Sequence, residues 1–312
     1  MRLRDGTVVV ALDVGGTGIK CALIRPDGAV VHSERHPTGA HRGAEAVVDT
    51  ILTVAEGLAA TARSAGLTPA ALGIVVPGIV DQARGMVLWG ANVGFRDVPL
   101  RKLAADRLGL PTALGHDVRA GGLAEARLGA GQDTEHLLFV AIGTGIAAAH
   151  VVAGTAATGA HGAAGEFGHI LIRPGGPPCG CGRSGCLEAI ASASAVARRY
   201  TDLAPAGPAV ITAAEVAQRA AAGEELATRV WREAVEALAD GLATGQALFD
   251  VETVVLGGGL AQAGPGLFDP LRSALRDRLT FHREPRLVPA ALGDQAGCLG
   301  AALLALDQLE MS

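Results

Sequence analysis

The segment Val8-Val-Val-Ala-Leu-Asp-Val-Gly-Gly-Thr-Gly-Ile-Lys-Cys-Ala-Leu-Ile24 joins two apolar runs through a glycine-rich turn. Val8–Leu12 is a β-branched run typical of a buried strand, and Ile19–Ile24 follows it as a second strand. The same order of strand, glycine turn with threonine, and strand recurs at Leu137–Ile142 and Ile146–Val152. This internal repeat predicts two related α/β domains that face each other across a cleft.

The turn after Asp13 has the composition of a phosphate-binding loop. Gly15 and Gly16 let backbone N–H groups approach an anion closely, and Thr17 adds a hydroxyl donor. Asp13, at the strand end, can order a hydrated Mg²⁺. A hairpin turn that merely needs glycine is an equal alternative, and Lys20 reads either as part of the site or as a solvated strand residue.

Two more glycine turns follow predicted strands. Gly143-Thr144-Gly145 mirrors the first turn, so that two hairpins can grip one triphosphate from either side. Gly257-Gly258-Gly259 would let a flat base or a ribose lie against the backbone. Each turn alone is a weak signal, but three at strand ends in this order favour nucleotide binding.

A compact set of metal-binding residue types follows the second repeat. It consists of His169, Cys179, Cys181 and Cys186. A closed His-Cys₃ set leaves no open position on zinc, so the predicted metal is structural, and clustered cysteines in a reducing compartment favour metal over a disulfide. Glu166 and Glu188 flank the set. Ordinary surface carboxylates are the alternative, but one metal site would hold both side chains in place, which favours a role in ligand binding. His169 either serves as a ligand only or also contacts a substrate through its other ring nitrogen.

Two further polar residues, Asp117 and Asn92, are candidates for binding or catalysis. Asp117 opens a predicted helix, where a carboxylate can take a proton from a hydroxyl that attacks phosphorus. From spacing alone an ordinary helix N-cap is slightly favoured at Asp117. Asn92 lies in a glycine-flanked loop, where its amide can donate to and accept from sugar hydroxyls, with a plain turn residue as the alternative.

Periodicity places these residues on a coarse frame of alternating elements. The predicted strands besides the two repeats are Ala29–Ser33, Leu72–Val76, Pro111–Leu114 and Val251–Leu256. The predicted helices are Glu45–Ala65, Pro99–Leu108, Asp117–Leu128 and a closing helix Asp294–Leu309, with mostly helical chain between Leu187 and Leu248.

Composition excludes several classes of protein. The 312 residues are enough for two domains, and 49% of them are hydrophobic, as in a folded globular protein. A net charge of −5 without long runs of either sign disfavours nucleic-acid and membrane partners. No apolar stretch approaches the roughly 20 residues of a membrane span, and no signal cleavage site follows Met1, so we expect a cytoplasmic protein.

Taken together, the motifs resemble the ROK family of repressors, open reading frames and sugar kinases, in its bacterial ATP-dependent glucokinase type. The motifs that carry the resemblance are Asp13-Val-Gly-Gly-Thr17, Gly143-Thr-Gly-Ile146, Ala164-Gly-Glu-Phe-Gly-His169, Cys179-Gly-Cys-Gly-Arg-Ser-Gly-Cys-Leu-Glu188 and Gly257-Gly-Gly-Leu260. The resemblance implies an α/β, two-lobed, actin-like ATPase (ribonuclease H-like) fold with a zinc-stabilised loop. We expect an N-terminal lobe at 1–118, joined by a C-terminal helix at 299–312, and a C-terminal lobe at 119–298 with the zinc loop at 169–186.

The resemblance also implies a role for each matching residue. Asp117 matches the base that deprotonates the 6-hydroxyl of a hexose. The sugar contacts implied are Asn92, His116, Asp117, Glu166, His169 and Glu188. The phosphate, Mg²⁺ and adenosine contacts are Asp13, Gly15, Gly16, Thr17, Lys20, Gly143, Thr144, Gly145, Gly258 and Gly259, and the zinc ligands are His169, Cys179, Cys181 and Cys186. Hexose and ATP would be the partners, in a homodimer or homotetramer.

Two departures from the family pattern bear on specificity. Histidine stands at His116 where the family usually has asparagine, and it is bulkier and can titrate near neutral pH. The run Gly145-Ile-Ala-Ala-Ala149 replaces several glycines. We therefore keep N-acetylmannosamine, mannose, fructose and allose as alternative substrates to glucose, polyphosphate as an alternative donor, and a catalytically silent sugar sensor as an alternative function. A repressor is disfavoured, since about a dozen residues precede Asp13.

Overall fold

The protein is described by a computed structural model that covers residues 6–204 and 211–311. The start of the N-terminal segment, where we expect no signal peptide, lies outside the described residues. Ser312, the last residue of the predicted closing segment, also lies outside them.

The first part of the chain consists mainly of strands, with one long helix between the third strand and the fourth. Its elements are β1 (Thr7–Val14), β2 (Gly18–Ile24), β3 (Val30–Pro37), α1 (Ala44–Ser64), β4 (Thr68–Val76), β5 (Ile79–Asp81), β6 (Met86–Gly90), β7 (Phe95–Val98), α2 (Leu100–Leu108), β8 (Thr112–His116) and α3 (Asp117–Leu128). The predicted helix at Asp117–Leu128 has the observed bounds. The short strands β5, β6 and β7, which pair with one another in a small antiparallel sheet, were not among the predicted elements.

The rest of the chain repeats the opening strands and adds helices. Its elements are β9 (His136–Ile142), β10 (Ile146–Val152), β11 (Thr155–Ala156), α4 (Leu187–Ala191), α5 (Ala193–Leu203), α6 (Ala213–Ala221), α7 (Glu225–Phe249), β12 (Thr253–Gly257), α8 (Pro265–Arg276), β13 (Arg286–Pro289) and α9 (Ala296–Met311). Helix α8 and strand β13 lie in a region for which the sequence analysis named no element.

The two main sheets share one topology, as the internal repeat predicts. Their strand orders are β3-β2-β1-β4-β8 and β11-β10-β9-β12-β13. In each sheet the opening strand pairs antiparallel with its hairpin partner and parallel with the strand that returns from the helices. The edge strand beyond that one is parallel as well. The first strand of each sheet therefore ends in a glycine turn at the same edge.

The parallel strands of the first sheet bring distant residues to one edge. In the strand register Asp13 of β1 lies opposite Val75 of β4, and the next residue of β4, Val76, lies opposite His116 of β8. Asp13 and the start of α3 therefore meet at the carboxyl edge of this sheet. Ligands of open α/β sheets bind at that edge.

The described chain divides into two compact units. The first takes in the residues up to Leu128, Ala156–Ala164 and those from Asp294 onward, and the second takes in Gly129–Thr155 and Gly165–Gly293. We predicted a division at 118/119, whereas α3 belongs wholly to the first unit because it packs along α9. Helix α9 belongs to the first unit.

Each unit has its own hydrophobic core. In the first, Val10 and Leu12 of β1 pack with Ile51 and Leu58 of α1. In the second, alternate residues of β9 pack with the long helix α7. Among the described residues we find no helix with the length and apolarity that a bilayer crossing requires.

Helix α9 approaches its neighbours at glycines. A Cβ on Gly300 of α9 would overlap the carbonyl oxygen of Ala120 in α3, and a Cβ on Gly73 of β4 would overlap that of Ala301. The close approach of backbone to backbone leaves no room for a methyl group at either site. These two glycines therefore set how closely α9 packs against α3 and β4.

We predict that Gly300→Ala lowers the free energy of unfolding by about 2 kcal/mol or more, the usual cost of overpacking a buried site. Chemical denaturation measures the change. The matched control is Gly57→Ala in α1, since Gly57 is exposed and a Cβ there would meet nothing within 4 Å. The control should gain stability, because alanine has the higher helix propensity. Equal effects of the two substitutions would contradict the packing account.

Candidate functional site

The first glycine turn is a tight hairpin held from a second side. The N–H of Gly15 donates to the carbonyl oxygen of Gly18 at 2.8 Å. Buried Thr38, just after β3, donates its hydroxyl to the carbonyl oxygen of Gly15 at 2.6 Å and its N–H to that of Thr17 at 3.2 Å. Thr17 itself is exposed at the tip of the turn. The sequence analysis missed Thr38, because its partners lie more than twenty residues away.

Two carboxyl groups, those of Asp13 and Asp117, lie at the carboxyl edge of the first sheet. Burial, and next the nearby charge of Asp117, raise the pKa of Asp13 to about 6, while the Lys20 ammonium acts in the opposite direction. Burial also raises the pKa of Asp117. Carboxylate oxygens are the ligands that Mg²⁺ prefers, so this pair suits a divalent cation.

Lys20 links Asp13 to the start of the last helix. Its Nζ lies 3.8 Å from Asp13 Oδ2 and 3.4 Å from Asp294 Oδ1, and Arg35 donates to Asp294 Oδ2 at 2.6 Å. A Cβ on Gly297, in the first turn of α9, would overlap the Asp13 carboxylate. Lys20 is therefore not a solvated strand residue, and neither Asp294 nor Gly297 was predicted for the site.

Helix α3 begins at Asp117, so His116 occupies the preceding position. Asp117 Oδ1 accepts the N–H of Val118 at 2.7 Å, and His116 Nδ1 lies 3.4 Å from the N–H of Arg119. Burial, and then the charge of Arg119, lower the pKa of His116 to about 3. The imidazole is thus neutral at neutral pH, contrary to our expectation, and its 3.3 Å contact with Asp117 is not an ion pair there.

Two further polar residues lie in the same unit. Asn92 is exposed in a short turn at Ala91–Val93, and a Cβ on Gly16 would lie 3.1 Å from the Asn92 Cβ, so Asn92 borders the first glycine turn. Buried Arg119 donates to the carbonyl oxygens of Gly162 at 3.0 Å and Ala164 at 3.2 Å. The sequence pattern gave no signal for this role of Arg119.

The second glycine turn, in the second unit, is one residue tighter than the first. The N–H of Gly143 donates to the carbonyl oxygen of Gly145 at 2.9 Å, and Thr144 is exposed at the tip. Gly258 has φ 83°, and a Cβ there would overlap the carbonyl oxygen of Ile142 at the end of β9. The third glycine turn therefore packs beside the second, as nucleotide binding by both would require.

A cavity of about 920 Å³ opens beside the third turn. Helices α6, α7 and α8 line it together with Gly259 and Leu260. Trp231 is mostly buried in its wall and donates its indole N–H to the carbonyl oxygen of Gly266 at 2.9 Å. A mixed apolar and polar wall of this kind suits a flat heteroaromatic ligand.

The predicted metal ligands converge in the second unit. One ligand atom from each of His169, Cys179, Cys181 and Cys186 lies within 4.8 Å of all the others. His169 Nδ1 is 3.6 Å from Cys179 Sγ, and Cys181 Sγ is 3.7 Å from Cys186 Sγ. Tetrahedral zinc with sulfur ligands at about 2.3 Å has ligand-to-ligand edges of about 3.7 Å, so the set fits zinc.

The local chain geometry and electrostatics favour that metal. Gly185 has φ 83°, and a Cβ there would overlap the carbonyl oxygen of Arg173, so only glycine fits directly before Cys186. A backbone hydrogen bond from Arg183 lowers the pKa of the Cys181 thiol to about 6, which favours the thiolate that binds metal. The other ring nitrogen of His169, Nε2, lies 3.7 Å from Glu166 Oε2.

Residues 9–308 match the sequence model of the ROK family. The chain belongs to the ROK family. Within it, the chain is 32% identical to a glucokinase of Thermotoga maritima over 319 residues, which covers 96% of this chain and 98% of the relative. It is 34% identical to an N-acetylmannosamine kinase of Escherichia coli O139:H28 over 300 residues, or 95% and 97% of the two chains.

The fold of this ROK protein also matches a solved ROK structure. A ROK family glucokinase from Streptomyces griseus, crystallised with glucose and AMPPNP, superposes with a TM-score of 0.81 at 30% identity, over 96% of this chain and 99% of that one. This match confirms the predicted actin-like α/β fold class.

We predict that the purified protein carries one zinc ion per chain and that Cys181→Ser loses it. A serine hydroxyl is a poor zinc ligand, so the tetrahedral set would be left incomplete. Elemental analysis of the dialysed protein gives the metal content. Cys21→Ala is the control, because Cys21 lies in the core of the other unit, and it should keep its zinc. A zinc content that is unchanged in Cys181→Ser would contradict the assignment.

We predict that Asp13→Asn stabilises the magnesium-free protein more at pH 7.5 than at pH 5. The folded state holds the Asp13 proton up to a pKa of about 6, above the unfolded value, so the wild type loses stability as pH rises towards and through 6. The asparagine variant lacks this loss, so its advantage should grow by about 1 kcal/mol across that range.

Denaturant unfolding at both pH values checks this sign. The control is Asp202→Asn, which removes an exposed carboxylate on α5. If the free energy of unfolding changes equally between the two pH values in the wild type and in Asp13→Asn, Asp13 titrates like an ordinary surface aspartate and the prediction is wrong.

Proposed function

We propose that this ROK protein is an ATP-dependent hexose kinase that transfers the γ-phosphoryl group of ATP to the 6-hydroxyl of a hexose, with glucose as the favoured sugar. The observation that carries the proposal is the half-buried carboxyl group of Asp117, which lies at the carboxyl edge of the first sheet, as does Asp13. Family membership and the glucokinase relatives support the substrate class.

Asp117 acts as the general base in this proposal. Phosphoryl transfer needs the acceptor hydroxyl to lose its proton as its oxygen attacks phosphorus in line with the leaving oxygen. A carboxylate whose pKa is raised towards the working pH accepts that proton more readily than an ordinary aspartate. The N–H of Val118 holds Asp117 Oδ1 and leaves Oδ2 to receive the proton.

The glycine turns carry the phosphates. Both turns offer backbone N–H groups and hydroxyls to phosphate oxygens, the first from Gly15, Gly16 and Thr17 and the second from Gly143, Thr144 and Gly145. Asp13 would hold the hydrated Mg²⁺, which neutralises phosphate charge when bound. Lys20 adds a positive charge near Asp13. Gly258 and Gly259 take the adenosine, and Gly259 lines the cavity in the second unit.

The proposed sugar contacts are an amide, two imidazoles and three carboxyl groups. They belong to Asn92, His116, Asp117, Glu166, His169 and Glu188. A neutral imidazole offers one donor and one acceptor, so buried His116 can replace the asparagine that the family usually has. Structural zinc would fix the chain between His169 and Cys186. It would thereby hold Glu166 and Glu188, which flank this stretch, in place. We also propose a cytoplasmic homodimer or homotetramer.

A kinase for N-acetylmannosamine is the second candidate. The observation that favours it is the 34% identity to the Escherichia coli N-acetylmannosamine kinase, which is as high as the identity to the glucokinases. The substitution of histidine for asparagine at His116 also changes the shape of the position expected to contact the sugar.

We predict ADP release from ATP and glucose in a coupled assay, with the turnover lowered at least a hundredfold in Asp117→Asn. The asparagine keeps the shape of the side chain but cannot accept the proton. Glucose binding, measured by calorimetry, should stay near the wild-type level. The assay runs over glucose, mannose, fructose, allose and N-acetylmannosamine with ATP as donor. With polyphosphate as donor the sugar phosphate is measured instead, because no ADP is released.

Asp106→Asn is the matched control, since Asp106 is exposed on α2 and pairs only with Lys102 among the contacts of the described residues. Near-normal turnover of Asp117→Asn would overturn the role of the base. A preference for N-acetylmannosamine would select the second candidate, and no turnover on any sugar would favour a sugar sensor.

A further inference from the structure

The chain that follows Cys186 holds both ends of the second glycine turn. The carbonyl oxygen of Gly143, where the turn begins, accepts the N–H of Ala193 in α5 at 2.9 Å. The N–H of Ile146, where the turn ends, donates to Glu188 Oε2 in α4 at 2.9 Å. One short segment, Glu188–Ala193, therefore anchors the turn at two points.

Glu188 lies in direct contact with the turn as well as bonded to it. A Cβ on Gly145 would lie 2.5 Å from Glu188 Oε2 and 3.3 Å from its carboxyl carbon. Gly145 thus leaves the space that the carboxylate fills. A side chain at 145 would force Glu188 away from the Ile146 N–H.

The turn at Phe167–His169 closes over the same residues. A Cβ on Gly168 would overlap the carbonyl oxygen of Ile146 and would lie 3.1 Å from the Glu188 Cβ. Both chain segments that contribute metal ligands therefore lie close to Ile146. The segment ending at His169 contacts Ile146 itself, and the segment ending at Cys186 leads into Glu188, which is bonded to Ile146.

We propose that Glu188 is a positioning residue for the phosphate-binding turn Gly143–Gly145, in addition to any contact with the sugar. The two carboxylate oxygens of Glu188 would have separate roles, Oε2 toward the turn and Oε1 toward the sugar. Oε2 accepts the Ile146 N–H, and Oε1 accepts no hydrogen bond from the described residues. The metal set would act on the nucleotide side through this bond, since Glu188 follows Cys186 by two residues. The inference rests on the proposed kinase function.

The first test follows the Ile146 amide in the sugar-free protein by hydrogen–deuterium exchange. Glu188→Ala removes the acceptor, so exchange at Ile146 should become about tenfold faster, as expected for the loss of one hydrogen bond to a charged group. Glu188→Gln keeps an oxygen that can accept the bond and should exchange nearly as the wild type does. Peptides from α1 in the other unit serve as an internal control for global unfolding.

The second test measures binding of AMPPNP with Mg²⁺, again without sugar. Glu188→Ala should weaken binding about tenfold, and Glu188→Gln should restore most of the loss. Gly145→Ala should also weaken binding in the wild-type background, but add little in the Glu188→Ala background, where the overlap no longer exists.

Gly143→Ala is the matched comparison within the same turn. A Cβ on Gly143 would meet nothing within 4 Å. Its effect on AMPPNP binding, of whatever size, should therefore be the same with Glu188 or with alanine at that position. The effects of Gly145→Ala and Glu188→Ala on AMPPNP binding should not be additive, whereas those of Gly143→Ala and Glu188→Ala should be. This difference isolates the contact between Gly145 and Glu188.

The outcomes separate this inference from the function on which it rests. If the wild type binds AMPPNP, but Glu188→Ala binds it equally well and protects Ile146 equally well, Glu188 serves the sugar alone and the positioning role is overturned. If the wild type fails to bind AMPPNP, the proposed kinase function itself falls, and the role for Glu188 falls with it.

Discussion

The burial of two mutually repelling carboxyl groups, Asp13 and Asp117, is the constraint around which the first unit is arranged. Burial raises the pKa of both carboxyl groups, and the charge of Asp117 raises that of Asp13 further. The protein supplies one partial remedy in Lys20, which it also shares with Asp294. It also brings the backbone of α9 against Asp13 through Gly297. Carboxyl groups whose pKa is raised in this way cluster at functional sites.

The two units share one strand topology but support their glycine turns differently. In both, a hairpin turn with an exposed threonine, Thr17 or Thr144, follows the first strand. The first turn is supported by Thr38 from its own sheet. The second is supported by Glu188 from an inserted segment with the metal set. The two glycine turns are therefore supported by different means. The second sheet has only the very short β11 where the first sheet has the long β3.

Local pattern predicted the repeated strands, the bounds of α3 and the metal set, because each depends on residues close together in the chain. Contacts between distant segments could not be predicted in this way. The bond from Glu188 to Ile146 spans 42 residues, and the contacts of Arg119 with Gly162 and Ala164 span more than forty. The neutrality of His116 was likewise hidden, since it follows from burial rather than from residue type. The strands β5 to β7 were missed because they are short and interrupted by glycines.

The position of α9 in the first unit has a consequence for how the chain is made. Synthesis proceeds from the N-terminus, so β1, β4 and α3 leave the ribosome long before the helix that packs on them. Until Ala296–Met311 emerges, the groove lined by Gly73 and Ala120 has no partner, and the first unit cannot reach its final packing. The nascent chain must therefore carry an unfinished domain through the synthesis of the whole second unit. A premature stop near the C-terminus would damage the first-made half of the protein most.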